Sequence, residues 1–259
     1  MFKDIIEKLR KHQFLFEELV KRDFKSKYKR TTLGIAWSML APLMQLAVMA
    51  LVFTRFFGRT TPHYTIYLFS GNLLFSYFSE ATNQGMTALE QNAHIFSKVN
   101  VPKYIFLLSK NVSSLINFLL TMVIYFIFVI VDGIGLKWSF LTLIYPVVCL
   151  MMFNVGMGLI LSALHVFFKD VSYLYSIFTT LLMYMSVIFY TLDVFPPEVR
   201  NLFFINPVYN YIHYFRSVVV YDTIPNLWQH GLCLVYAVAV LAAGMGMYHK
   251  YNYKFLYYI

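Results

Sequence analysis

The sequence predicts an all-α integral membrane protein: six transmembrane helices, an N-terminal amphipathic interfacial helix, and a re-entrant external helical hairpin before the last span. Three observations carry that expectation. Of 259 residues, 59% are hydrophobic and 13% charged, with a mean hydropathy of +0.62. A soluble domain has about 25% charged residues, so a soluble globule, a coiled coil and a disordered chain are all excluded. Six long stretches contain no Asp, Glu, Lys or Arg, and a helix needs about 20 apolar residues to cross hydrocarbon. The net charge is +9, and beside so much apolar sequence a basic balance points to a membrane surface rather than to nucleic acid.

The chain begins with an amphipathic pattern. Phe2, Ile5, Ile6, Leu9, Gln13, Phe16 and Val20 fall on one helical face, and all but Gln13 are apolar. That describes a helix lying in the interface with its lysines toward the headgroups; packing against a soluble partner is the alternative. No apolar h-region is found before residue 30, so no signal peptide is expected. Lys21, Arg22, Lys25, Lys27, Lys29 and Arg30 follow, immediately before the first uncharged stretch. Charge alone reads this cluster as a topology signal that attracts anionic lipid. A sharper reading makes Arg22, Lys25, Lys27, Lys29 and Arg30 a site for a phosphate-bearing lipid headgroup.

The uncharged stretches cover residues 31–54, 60–79, 111–131, 138–168, 171–192 and 223–249. A seventh, 201–215, lies between Arg200 and Arg216 and is too short to cross; a re-entrant or interfacial segment suits it. Six crossings place both termini on one side. With residues 1–30 inside, sixteen Lys and Arg lie inside against five outside, so both termini are expected in the cytoplasm. Residues 1–30 then form a cytoplasmic interfacial helix and basic segment, and 31–259 one six-span domain.

Between the second and third spans, residues 89–104 form a polar cytoplasmic segment with Glu90, Asn92, His94, Lys98 and Lys103. Pro102 disfavours helix at Val101, so a short helix should stop there. Glu80, just past the second uncharged stretch, is expected in a structural pair with a base such as Lys110. Gly156, Gly158, Gly244 and Gly246 lie inside apolar spans and read as close-packing positions. Cys149 and Cys233 also lie in spans and read as small buried hydrophobes, with no disulfide or metal framework.

Catalytic signatures are absent. There is no G-x-x-x-x-G-K-[ST] to cradle nucleotide phosphates, no H-E-x-x-H and no G-x-S-x-G. Ionisable residues are nearly missing from the spans, and Asp132, Asp170, Asp193 and Asp222 are scattered over different loops. An intramembrane glycosyl- or phosphotransferase is therefore disfavoured, and any energy source should reside on another chain.

Taken in order, the motifs resemble the type-2 ABC exporter permeases, and within them the branch exporting O-antigen, capsule and teichoic acid. That family's entry reads R-D-x-K-x-[KR]-Y-[KR], then L-G-x-x-W-x-x-x-x-P. Arg22, Asp23, Lys25, Lys27, Tyr28, Lys29, Leu33, Gly34, Trp37 and Pro42 match it. Asn92, Ile95, Lys98, Pro102 and Lys103 resemble the segment between spans two and three. Phe168, Lys169, Asp170 and Val171 resemble the loop before span five, with Lys169 where Arg is usual. Asn206 and Pro207, then Phe215 and Arg216, resemble the external N-P…F-R signature.

The resemblance implies a homodimer with two ATP-binding cassette subunits on its cytoplasmic face. The permease itself is then no enzyme and binds no cofactor; ATP and Mg sit on the partner subunit. The N-terminal helix and Glu90, Asn92, His94 and Lys98 would couple to that ATPase. Spans one and five would line a path between protomers for a lipid-linked glycan, and residues 194–221 would form paired half-helices turning at Asn206 and Pro207, with Arg216 at the external gate. Aromatic residues make up 19% of the chain. Most should be interfacial belt and packing mass, but flat rings also suit sugars that must slide. Tyr173, Ile177, Thr180, Tyr184 and Ile188 share one face of span five, and Tyr173 and Tyr184 are the candidates for pore lining. The competing substrate class is a smaller lipid or drug; a passive scaffold would leave the cytoplasmic helices without a role.

Overall fold

The structure is a computed structural model and describes residues 10–29, 31–57 and 61–258. Phe2, Ile5, Ile6, Leu9 and Arg30 therefore lie outside the described residues. The long elements are α1 (Gln13–Tyr28), α2 (Trp37–Phe57), α3 (Tyr64–Gln91), α5 (Tyr104–Val131), α6 (Ile144–Phe167), α7 (Val171–Met185), α9 (Pro207–Val219) and α10 (Leu227–Tyr251). Short helices α4 (Ala93–Phe96), α8 (Pro197–Arg200) and α11 (Phe255–Tyr258) and several 3-10 turns join them. No strand occurs among the described residues.

Helices α2, α5, α6 and α10 are long and apolar enough to cross a membrane, the first and third together with the 3-10 turns that lead into them. Helix α3 reaches 28 residues, about 42 Å at 1.5 Å per residue, yet it carries Ser70, Asn72, Ser79, Glu80, Thr82, Asn83 and Gln84. It tolerates them because it is the centre of the bundle. Packed against α2, α5, α6 and α9, it buries nineteen residues, so much of its surface never meets lipid. Its hydroxyls bond locally: Ser70 Oγ donates to Tyr67 O at 2.8 Å and Thr82 Oγ1 to Phe78 O at 2.8 Å.

Two expectations of extent change. Span five was expected to run over 171–192, but α7 ends at Met185 and the backbone then reverses, with Val187 at φ 55°. The basic segment, expected to follow the N-terminal helix, is itself helical. A turn at His12 precedes α1, which continues through Lys21, Arg22, Lys25 and Lys27. The inward face of α1 is Phe16, Leu19 and Asp23, a residue round from the Gln13, Phe16, Val20 face; Leu19 is buried and Gln13 exposed. Packing against α5 selects this face.

The glycine expectation holds where helices cross. A Cβ on Gly156 of α6 would stand 2.6 Å from Leu241 N and Val240 C in α10, and one on Gly244 would stand 2.6 Å from Gly156 O. Backbone atoms cannot yield as side chains do, so α6 and α10 approach only through glycine. Gly246, expected to behave likewise, has nothing within 4 Å of its Cβ position. Gly156→Ala and Gly244→Ala are each expected to cost about 1–3 kcal/mol by overpacking, read as a lower Tm in detergent. Gly246→Ala should leave Tm unchanged.

Candidate functional sites at the two ends of the bundle

The reversal after α7 exposes backbone carbonyls inside the protein, where each unpaired group is costly. Side chains from α3 and α9 take them up. Arg216, 3% exposed, donates from Nη1 to Val187 O at 2.7 Å and from Nη2 to Ile188 O at 3.1 Å and Tyr67 O at 2.9 Å. Its Nε reaches Tyr67 O at 3.1 Å and Ser70 Oγ at 3.2 Å, and the guanidinium lies 3.5 Å from the Tyr67 ring centroid. Tyr64 OH donates to Phe189 O at 2.6 Å and Tyr67 OH to Tyr190 O at 2.7 Å. Among the described residues no carboxylate pairs with Arg216; the cation is held by carbonyl dipoles and a π face.

The Asn-Pro pair is explained locally. Asn206 is the N-cap of α9, its Oδ1 accepting from Val208 N at 3.0 Å and Tyr209 N at 3.3 Å, and Pro207 occupies the first helical position. The Asn206 amide also donates to Met185 O at 3.2 Å and Ser186 Oγ at 3.0 Å, so one side chain starts α9 and finishes α7. Asn206 does mark a turn. The expected first half-helix before it is instead the four-residue α8 and a 3-10 turn at Asn201–Ile205, because Pro196 and Pro197 leave too little chain for a regular limb. Helix α9 is almost wholly buried.

At the opposite end of α3 lies a second cluster. Asp23, turned inward from α1, receives Arg22 Nη2 at 2.8 Å and Lys110 Nζ at 3.2 Å on Oδ1, and Ser109 Oγ at 3.3 Å on Oδ2. Arg22 Nη2 also donates to Asn92 Oδ1 at 2.7 Å, and Asn92 Nδ2 donates to Ala88 O at 2.7 Å. One carboxylate thus ties α1 to α5 and, through Arg22, to the turn that leads into α4. The expected Glu80–Lys110 pair is corrected: Lys110 serves Asp23, while Glu80 takes Lys27 at 2.8 Å and Asn117 Nδ2 at 3.0 Å. Helical winding of the basic segment causes the exchange, since it brings Lys27 one turn beyond Asp23 along α1.

Glu90 closes the cluster. Lys169 Nζ reaches Glu90 Oε1 at 2.9 Å, and His165 Nε2 lies 2.9 Å from Oε2. The Lys169 hydrogen bond first, then His165, hold the Glu90 carboxyl below its ordinary value. A lowered carboxylate pKa gives stability that is present above the unfolded value and is lost as pH falls through the folded one. Both Glu90 and Lys169 are about half exposed, so the clasp is worth about 1 kcal/mol or less. Acidification from pH 7 to 4 should lower Tm more in the parent chain than in Glu90→Gln, and equal slopes would remove the clasp from the account. Lys103, pushed below its usual range by burial, donates to Asn252 O and faces the Phe96 and Phe255 rings, anchoring the C-terminal end.

Residues 15–220 match the family described as ABC-2 type transporter. The chain belongs to that family. Relatives of this ABC-2 type transporter include the O-antigen export system permease protein RfbA of Klebsiella pneumoniae, 25% identical over 93% of this chain and 95% of the relative. The protein of the same name from Myxococcus xanthus is 25% identical over 86% of each chain. The polysialic acid transport protein KpsM of Escherichia coli is 22% identical over 90% of this chain and 91% of its own. These names describe O-antigen export and polysialic acid transport, the polysaccharide side of the resemblance.

Placed on this ABC-2 type transporter, the sequence-predicted residues divide sharply. Lys25 and Lys29 are exposed, whereas Arg22 and Lys27 are engaged by Asn92, Asp23 and Glu80. His94 and Lys98 are exposed, but Asn92 is fully buried. Asn92 therefore cannot be a surface contact as expected; it positions α4 from beneath. Tyr173, Ile177 and Tyr184 are open at 75%, 69% and 55% exposure. Ile188, expected on that face, is buried because α7 has already ended. Sequence reasoning passed over Tyr64, Tyr67, Ser109 and His165. Only Asp23 carried a usable signal, as the lone acid among six bases in residues 21–30.

Proposed function

We propose that this chain is the membrane subunit of an ATP-driven exporter that moves a lipid-linked polysaccharide, O-antigen-like or teichoic-acid-like, outward across a bacterial plasma membrane. The observation that carries the reading is the α3–α4 corner. Buried Asn92 and paired Glu90 fix it from below to α1, α6 and the 168–170 turn, while His94 and Lys98 stand free on its outer side. A rigidly mounted polar knob of this kind is suited to receive a push from a partner and pass it to the spans.

In this reading the chain crosses six times with both termini cytoplasmic, α3 and α7 serving as spans two and five, and the 194–221 segment re-entering from outside without crossing. Two copies pair, and two ATP-binding cassette subunits carry the ATP and Mg. Exposed aromatics of α7, Tyr173 and Tyr184, together with the open face of α2, line the path between protomers, while Lys25 and Lys29 meet the lipid-linked substrate's phosphate. The Arg22–Asn92 bond makes α1 move with α4, and the 23–110 clasp carries α5 with it. The Arg216-bound reversal caps the outer end.

Co-purification with an ATP-binding cassette subunit from the same organism tests the assembly: His94→Glu with Lys98→Glu should reduce complex recovery or permease-stimulated ATP hydrolysis several-fold. ATP hydrolysis indifferent to both would remove α4 as the contact. Deleting the chain should abolish a surface glycan and leave its lipid-linked form inside. Normal surface glycan would favour the smaller-substrate reading.

A further inference from the structure

At the Asp132 end of the bundle, α5, the 3-10 turn Trp138–Leu143 and α6 form an open groove of about 760 Å³. Carbon lines it: Leu119 and Met122 from α5, and Leu141, Ile144 and Val148 from the turn and α6 are among its walls. Leu119, Leu141, Ile144 and Val148 are each at least 46% exposed, and both walls belong to helices able to cross a membrane. Polar character enters at one place. Lys137 lies on the rim and pairs with Asp222 at 2.7 Å, both side chains about half exposed, and Trp138 stands beside it at 89% exposure. An exposed pair of this kind contributes little by itself, so both charges can turn to a ligand. Tryptophan at this level marks the headgroup region.

We propose that this groove is a binding site for a zwitterionic aminophospholipid of the bilayer, its acyl chain along α5 and α6, its phosphate on Lys137 and its ammonium on Asp222. The charge pattern selects the occupant. A lone lysine would favour any anionic lipid, whereas adjacent opposite charges complement a phosphate and a primary ammonium carried by one headgroup. A choline headgroup presents no N–H to the Asp222 carboxylate, and a glycerol headgroup presents no cation. The inference is independent of the polysaccharide reading, since it concerns the lipid around the chain and not the cargo.

Trp138 is the reporter. The chain has three tryptophans, so the full-length protein with Trp37→Phe and Trp228→Phe leaves one, at the groove. Reconstituted into phosphatidylcholine vesicles with increasing brominated phosphatidylethanolamine, Trp138 should show quenching with about a five-fold preference over brominated phosphatidylcholine, the size expected of one favourable surface charge contact. Lys137→Gln should weaken quenching by both brominated lipids, because both carry the phosphate that Lys137 holds. Asp222→Asn should abolish that preference and shift binding toward brominated phosphatidylglycerol, and Val148→Phe should reduce quenching by every headgroup. Because Lys137 and Asp222 are exposed, their variants remain readable if the bulky one fails to fold. Equal quenching by all three lipids in the parent, or a preference unchanged in Asp222→Asn, overturns the proposal. So does cross-linking of two chains through Ile144→Cys, which would assign the groove to a second copy.

Discussion

Arg216→Met is expected to lower Tm in detergent by about 10 °C, and Arg216→Lys by nearly as much. The guanidinium bonds to carbonyls on two separate pieces of backbone, Tyr67 O on α3 and Val187 O and Ile188 O on the reversal. A hydrogen bond to a charged group is worth about 1.5–3 kcal/mol, and losing such a buried network costs about 3–5 kcal/mol, at about 2–4 °C per kcal/mol for a chain of this size. A lysine keeps the charge but places one ammonium where a fork is needed. Gly71 supplies a second test at the same place, because a Cβ there would run into the guanidinium; Gly71→Ala should reproduce much of the loss. Arg200, paired at 3.4 Å with the exposed Asp193, is the contrast. Arg200→Met should shift stability by about 1 kcal/mol or less. An Arg216→Lys chain as stable as the parent would show that charge, and not the fork, holds the reversal.

Asp23→Ala is the second large effect, through a different mechanism. The Asp23 side chain is 3% exposed and Lys110 12%, so removing the carboxylate leaves a cation with little access to water. Breaking a buried pair from one side costs about 3–5 kcal/mol. Replacing both partners is far milder, because the desolvation penalty disappears with the charge. Asp23→Leu with Lys110→Met should therefore recover most of the Tm lost in Asp23→Ala. The two chains should then separate stability from coupling. Both lack the carboxylate that joins α1 to α5 and holds Arg22 beside Asn92, so both should show reduced permease-stimulated ATP hydrolysis although only one is unstable. A stable double variant with full stimulation would leave α1 without the lever role given to it under the proposed function.

Much of the fold was legible because membrane helices announce themselves locally. Apolar run length gave α2, α5, α6 and α10 within a few residues at most ends. The short cytoplasmic helix expected to stop at Val101 ends earlier, at Phe96, so Pro102 marked the segment without setting its end. The Asn206–Pro207 pair wrote its own cap, and Gly156 with Gly244 marked a close crossing before any partner helix was known. In each case the information lies within one turn of helix, or in the absence of a side chain.

The ends of α7 and the partners of the charges were decided elsewhere. Nothing in residues 186–192 is a strong helix breaker, and the run is apolar enough to continue. The helix stops because Tyr64, Tyr67, Asn206 and Arg216 donate to the freed carbonyls, and those residues lie about 20 to 120 positions away along the chain. Likewise, Asp23 with Lys110 and Lys27 with Glu80 are pairs set by helix packing, with many residues intervening. The sequence by itself determined that this chain is a bundle of membrane helices with a basic N-terminal segment, since hydropathy and charge are sums over local residues. Only the tertiary structure decided where a helix breaks inside the bundle and which cations remain available at its surface, since both depend on which distant polar groups satisfy one another away from water.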